Sequence, residues 1–183
     1  MTLQEALGYG FSHIEKPAID IASEITSISS TLFPRLPAGK LLTVVTANED
    51  DLTRSPTSQM YLLSSSDCEK IVLTRVLAQI ISANQSVTAS MKLALDGAVL
   101  LLDDLGVHMN EIHQAKLLKN LRKSGATTLI TSNRWSVGRF ADRIFVLHNG
   151  VIVENGTHAE LLDRGPQRSI YAARWKDMLD ESK

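Results

Sequence analysis

A five-residue aliphatic run at positions 98–102 constrains the fold of this sequence more than any other feature, because two acids, Asp103 and Asp104, follow it directly. A short continuous apolar run with such a stop is typical of a strand that is buried on both faces of a parallel sheet. Open α/β sheets bind ligands at the carboxyl ends of their strands. The run therefore predicts an α/β fold with a candidate site at the two acids.

The two acids suit phosphoryl-transfer chemistry. At the end of such a strand, one carboxylate can hold Mg²⁺, directly or through water, while its neighbour orients a nucleophilic water. The alternative is that Asp103 only caps the turn that follows the strand. The two residues by themselves leave both interpretations open.

Helices and turns on both sides of the run have clear local signals. The apolar positions between Ile21 and Leu32 repeat at helical spacing until Pro34, which predicts one amphipathic helix. A strand is predicted over residues 126–131, after a helix over 111–124, and the Asn149-Gly150 pair between two β-branched runs predicts a hairpin. Spacings typical of a capping box, which opens a helix, occur at Thr2 with Glu5, Ser66 with Glu69 and Thr157 with Glu160. The second box predicts a helix over residues 67–82, and a polar loop is predicted over 48–59.

Charge and composition exclude several classes of protein. The 183 residues carry 19 basic and 20 acidic side chains, a net charge of -1, and no basic patch is evident, so nucleic acid is not an expected partner. The aliphatic run at 98–102 is the longest of its kind and is far below the roughly 20 residues that cross a bilayer, so no direct membrane insertion is expected. The single cysteine, Cys68, forms no internal disulfide, and the five histidines share no spacing typical of metal ligands.

Three stretches of the sequence carry a specific resemblance. Residues 97–104, GAVLLLDD, resemble a Walker B strand, which usually ends LLLDE, and residues 63–77 are similar to the LSGGQ signature and its helix. Residues 141–162 follow the closing segment of the same family almost position by position. The chain thus resembles the nucleotide-binding domain of ATP-binding-cassette (ABC) transporters of the exporter type. The resemblance covers nearly the whole chain except an insertion near residues 84–96.

This resemblance implies part of the P-loop NTPase fold of ABC ATPases. It predicts a helical subdomain over residues 1–97 and a carboxyl-terminal portion of the α/β core, with a terminal hairpin, over 98–183. The sequence contains no G-x-x-x-x-G-K-[ST] motif, whose amides and lysine cradle phosphates, since Gly39-Lys40 is followed by Leu41. We therefore expect the chain to start after the family's Q-loop and to lack the half of the domain that holds the nucleotide.

The resemblance assigns roles to the core residues, each at a position that has drifted from the family pattern. Asp103 is implied as the Mg²⁺ site, through water. Asp104 stands where the family has its catalytic Glu and is implied as a weakened general base. Asn133 stands at the position of the switch histidine and cannot relay a proton near neutral pH.

In the signature segment, the resemblance implies a contact with ATP bound on an opposite subunit. Ser64 is retained from the family motif, whereas Ser65 and Ser66 replace two glycines that allow close backbone approach. Asp67 replaces the family's Gln and brings a negative charge toward the phosphate, although the amino terminus of a helix favours an acid.

The resemblance also implies ATP and Mg²⁺ as cofactors, and a second nucleotide-binding domain and a transmembrane transporter domain as partners. It places the chain in the cytoplasm, at the inner face of a membrane, in an accessory role in ATP-driven transport. The family hydrolyses ATP, but the isolated chain is predicted to be inactive. The alternative is an interaction module that uses the cassette scaffold without nucleotide. A chromosome-maintenance or repair ATPase is disfavoured by the exporter-like segment 149–162.

Overall fold

The computed structural model describes residues 2–8, 16–36, 44–46, 60–83, 92 and 94–181. The helices are α1 (Leu3–Gly8), α2 (Lys16–Ile25), α3 (Ile28–Thr31), α4 (Ser65–Ala83), α5 (Glu111–Lys123), α6 (His158–Asp163) and α7 (Ile170–Glu181), with 3₁₀ helices at Phe33–Arg35 and Trp135–Phe140. The strands are β1 (Val44–Thr46), β2 (Met60–Leu62), β3 (Val99–Leu102), β4 (Thr127–Ile130), β5 (Ile144–His148) and β6 (Val151–Gly156).

The chain divides into two compact units. The first comprises residues 1–102 and 106–129, and the second comprises residues 103–105 and 130–183. The subdomain division predicted at residues 97 and 98 refers to the architecture of a complete family domain, and it stays a prediction. The predicted loop at 48–59 and most of the predicted insertion lie outside the described residues.

The first unit is built on its helices. Leu3 and Leu7 of α1 and Ile28 and Leu32 of the α3 region form a buried cluster with Ile71 of α4. Where α2 packs on α4, the buried hydroxyls of Thr26 and Thr74 form a hydrogen bond of 2.7 Å. The side-chain amide of Asn120, on α5, donates to the carbonyls of Glu24 and Ile25 at 3.2 and 3.1 Å, so it binds the end of α2.

The single helix predicted up to Pro34 is wrong, because the chain breaks between α2 and α3. Ser27 adopts a left-handed conformation with φ of 60°. Hydroxyls on both sides of the break add hydrogen bonds to carbonyls that also accept a helical amide. Thr26 Oγ1 donates to the Ala22 carbonyl at 3.0 Å, and Thr31 Oγ1 donates to the Ser27 carbonyl at 2.9 Å. The apolar spacing is therefore helical on both sides of an interruption at Ser27.

β3 and β4 lie where the two strands were predicted and pair with each other, and the hydrogen bonds at their ends show that they run in the same direction. The Thr127 amide donates to the Ala98 carbonyl at one end of the pair, and the Asp104 amide donates to the Thr131 carbonyl at the other. The prediction that β3 is buried on both faces is wrong, however, because only one of its faces is covered in the part of the chain that the structure describes. Leu100 is buried, whereas Val99 and Leu101 are 67% and 73% exposed.

The second unit contains the hairpin and the capping box that its sequence predicts. β5 and β6 form the predicted antiparallel hairpin, and Asn149 and Gly150 have φ of 49° and 80°. These positive values fit a type I′ turn. The predicted capping box of Thr157 and Glu160 opens α6, with both of its hydrogen bonds present.

An aromatic cluster forms the core of the second unit. Tyr171 is buried among Val146, Leu161, Trp135 and Trp175. Its hydroxyl forms a hydrogen bond of 2.8 Å with His158 Nδ1. Burial raises the pKa of Tyr171 to about 12, so the phenol is neutral across the physiological range. None of the helices within the described ranges is long and apolar enough to cross a membrane.

Candidate functional site

The two acids after β3 are joined to the end of β4 through one side chain, that of Thr131. The Thr131 hydroxyl donates to Oδ1 of Asp103. The Asp104 amide donates to Thr131 at 3.1 Å to its carbonyl and 3.0 Å to Oγ1. Asp104 has a φ of 47°, which is uncommon for a residue other than glycine. Thr131 therefore fixes both the carboxylate of Asp103 and the backbone of Asp104.

Thr131 was not among the predicted site residues, although the sequence held a signal for it. The carboxyl ends of neighbouring parallel strands meet at one edge of a sheet, and Thr131 directly follows the second strand. Asn133 lies two residues further on and is exposed. The roles predicted for Asp103, Asp104 and Asn133 stay predictions.

The side chains at this edge can supply only some of the ligands of a Mg²⁺ ion. Among the described residues, no group of three or more His, Cys, Asp or Glu side chains could hold a metal ion. Mg²⁺ is commonly held by one or two carboxylates, with water and substrate phosphates as its remaining ligands. Asp103 is exposed and fits that role, so the residues are compatible with a magnesium ion that arrives together with phosphate.

The signature segment opens α4 through a capping box that differs from the predicted one. Ser64 Oγ accepts from the Asp67 amide at 3.2 Å, and Asp67 Oδ2 accepts from the Ser64 amide at 3.2 Å. The predicted box of Ser66 and Glu69 is wrong, because Glu69 Oε1 accepts instead from the Gly106 amide. The helix consequently begins at Ser65, two residues before the predicted start.

Arg35 forms an ion pair with the acid in this cap. Its Nη2 lies 2.5 Å from Asp67 Oδ1, and the Asp67 side chain is only 2% exposed whereas that of Arg35 is 48% exposed. Ser65 is exposed and Ser66 is half-buried. Arg35 lies 32 residues before Asp67, so no local pattern in the sequence pointed to this pair.

The negative charge of Asp67 affects the pKa of two neighbouring side chains, Lys70 and Cys68. The Lys70 ammonium is buried and donates to Thr31 Oγ1 at 3.0 Å; desolvation lowers the pKa of Lys70, and the charge of Asp67 opposes that shift. Burial, reinforced by the Asp67 charge, raises the pKa of the Cys68 thiol. A raised pKa leaves less thiolate and a less reactive sulfur, which agrees with a packing role for Cys68.

Comparison with solved structures identifies the fold. The chain superposes on a bacterial Atm1-family ABC exporter with ATP bound, with a TM-score of 0.66 and 22% identity over 97% of this chain and 26% of that one. The fold is that of part of an ABC-exporter nucleotide-binding domain. The predicted α/β, partial P-loop NTPase fold is thereby confirmed.

Partial sequence matches to ABC transporters agree with this fold. The probable multidrug resistance ABC transporter ATP-binding/permease protein YheH of Bacillus subtilis is 40% identical over 80 residues, which is 43% of this chain and 12% of that protein. The ATP-dependent lipid A-core flippase of Burkholderia thailandensis is 42% identical over 73 residues, which is 38% of this chain and 12% of that protein. No family model matches the sequence. Each match thus spans about an eighth of its relative.

Proposed function

We propose that this chain is an accessory, non-hydrolysing part of an ABC-transport assembly. The observation that carries the proposal is a contrast: the fold matches an ATP-bound exporter over 97% of the chain, whereas Asp104 and Asn133 stand where the family has its catalytic Glu and its switch histidine. A shortened acid is a poorly placed general base, and an asparagine cannot relay a proton near neutral pH. The proposal takes residues 1–97 as the helical subdomain and 98–183 as the core portion.

In this proposal, the acids after β3 keep a nucleotide-facing role with reduced chemistry. Asp103, fixed by the Thr131 hydroxyl, holds Mg²⁺ through water. When bound, Mg²⁺ neutralises charge on phosphate oxygens. Asp104 is one methylene shorter than the family's Glu, and a misplacement of about 1 Å can cost on the order of a hundredfold in rate. Asn133 contacts the γ-phosphate as a hydrogen-bonding sensor but moves no proton.

The signature residues Ser64, Ser65, Ser66 and Asp67 are proposed to contact ATP held by a second nucleotide-binding domain. A transmembrane transporter domain completes the assembly, which places the chain in the cytoplasm at the inner face of a membrane. The names of the relatives, ATP-binding/permease protein and ATP-dependent flippase, support ATP-driven transport as the setting.

A binding experiment tests this proposal. The purified chain is mixed with the nucleotide-binding domain of the Bacillus subtilis relative, and complex formation is measured by analytical ultracentrifugation with and without MgATP. We expect a complex that depends on MgATP. Ser65→Glu places a charge on the exposed signature turn and should weaken the complex about tenfold. Gln79→Glu adds the same charge at an exposed position further along α4 and should leave it unchanged.

One observation favours the alternative function, a protein-interaction module that binds no nucleotide. The β5 and β6 hairpin exposes large apolar side chains, among them Phe145, Leu147 and Ile152, which are 51%, 68% and 60% exposed. Exposed apolar patches of this kind often mark protein interfaces. A complex that forms equally well without MgATP would support this alternative and overturn the accessory nucleotide-dependent role. The absence of any complex would overturn the proposed role as well.

A further inference from the structure

The first turn of the signature helix is closed by a carboxylate of its own chain. Asp67 Oδ2 accepts two hydrogen bonds from Ser64, at 2.7 Å from the hydroxyl and 3.2 Å from the amide. The other oxygen, Oδ1, pairs with Arg35. Because the Asp67 side chain is 98% buried, this carboxylate is held in one place and is not a mobile surface charge.

This arrangement occupies two donors that an incoming anion could use, the hydroxyl and the backbone amide of Ser64. The amino terminus of a helix attracts anions because its free amides point outward and its dipole is positive there. A serine hydroxyl has one proton and a backbone amide has one, so neither can donate fully to a phosphate while it donates to Asp67. Hydrogen bonds to an ionised acceptor are about twice as strong as neutral ones, so Asp67 is a strong acceptor for these donors, as a phosphate would be.

We propose that Asp67 is an internal anion that weakens the binding of phosphoryl groups to the signature segment, and that Arg35 holds it in that position. The inference rests on the proposed function, in which Ser64, Ser65 and Ser66 face a nucleotide phosphate. It adds a specific determinant to that function. The charge of Asp67, more than the serines that replace two glycines, limits how tightly this segment takes a phosphate.

Two substitutions of equal size separate the charge of Asp67 from its capping role. Asp67→Gln and Asp67→Glu both keep a side chain that can complete the capping box, but only Glu keeps the negative charge. The probe is inorganic phosphate, added to the full ¹⁵N-labelled chain, and the readout is the chemical shift of the Ser64, Ser65 and Ser66 amides. Asp67→Gln should bind phosphate about tenfold more tightly than the wild-type chain, because a nearby like charge has been removed.

Asp67→Glu is expected to bind phosphate no more tightly than wild type. Amide hydrogen exchange along α4 checks that both variants keep the helix, and Asp67→Asn, which has the shape of the native side chain, should repeat the gain seen with Gln. Equal phosphate binding by the Gln and Glu variants, or no gain in a folded Asp67→Gln chain, overturns the proposal. Because this experiment uses the chain alone, its failure is distinct from failure to form a MgATP-dependent complex.

Discussion

Gly138→Ala is expected to lower the free energy of unfolding of the second unit by about 1–3 kcal/mol, the usual cost of overpacking a core. A Cβ at this position would lie 2.2 Å from the Tyr171 hydroxyl oxygen and 3.0 Å from two atoms of its ring. Tyr171 cannot move away easily, because its hydroxyl binds His158 and its ring makes an edge contact with Trp135. The clash therefore has to be relieved by shifting the core itself.

A double-mutant cycle tests whether Tyr171 is the cause. Tyr171→Phe removes the atom nearest to the new methyl group and by itself should cost about 1 kcal/mol through the lost hydrogen bond. In that background, Gly138→Ala should cost clearly less than in the wild-type chain, since residues in contact show non-additive effects. Both tryptophans, Trp135 and Trp175, lie in this unit, so their fluorescence during urea unfolding reports on it directly. Strictly additive effects would contradict the account.

Gly150→Val is expected to destabilise the hairpin by about 1–2 kcal/mol or more, the cost of a left-handed conformation for a residue with a Cβ. Gly150 has a φ of 80°, and no atom lies within 4 Å of the position that a Cβ would take. The expected loss is therefore conformational strain alone. Gly150→Asn is the matched control, because Asn adopts positive φ more readily than a β-branched residue and should cost less.

Asn133→Ala provides the comparison from the candidate site. Asn133 is exposed in the segment after β4, and surface substitutions of this kind usually change stability by less than about 0.5 kcal/mol. Thermal unfolding of the Gly150 and Asn133 variants measures both effects. A large loss for Asn133→Ala together with a small loss for Gly150→Val would contradict the assignment of the hairpin and of the segment after β4.

The helix α4 illustrates how far the sequence could be interpreted. Its existence and its length were predictable, because its apolar periodicity is strong and a serine three residues before an acid marks its start. Two such pairs overlap there, Ser64 with Asp67 and Ser66 with Glu69. Contacts from distant parts of the chain decide between them. Arg35 binds Asp67, and the amide of Gly106 binds Glu69, and neither partner has a local signal.

The strand β3 shows that its sequence predicts the element but not how much of it is buried. Its five-residue apolar run predicted a strand, and the structure confirms one, but the apolar run cannot say how many faces its neighbours cover. For the candidate site, too, the sequence could predict some residues and not others. Asp103 and Asp104 were found from their place after the strand, and Thr131 was open to the same argument. Arg35 was not, because its importance depends on a contact across 32 residues.

This chain has the fold of part of a nucleotide-binding domain, but we expect that it does not hydrolyse ATP. Steady-state ATP hydrolysis by the purified chain tests this expectation most directly. Phosphate release in the presence of Mg²⁺ should equal that of the Asp103→Asn variant, because this sequence supplies no P-loop to hold the substrate. Asp104→Glu, which restores the family's longer base, should also release no additional phosphate, since a correctly placed base has no effect on a substrate that is not held. Hydrolysis by the wild-type chain that exceeds the Asp103→Asn control would contradict the account.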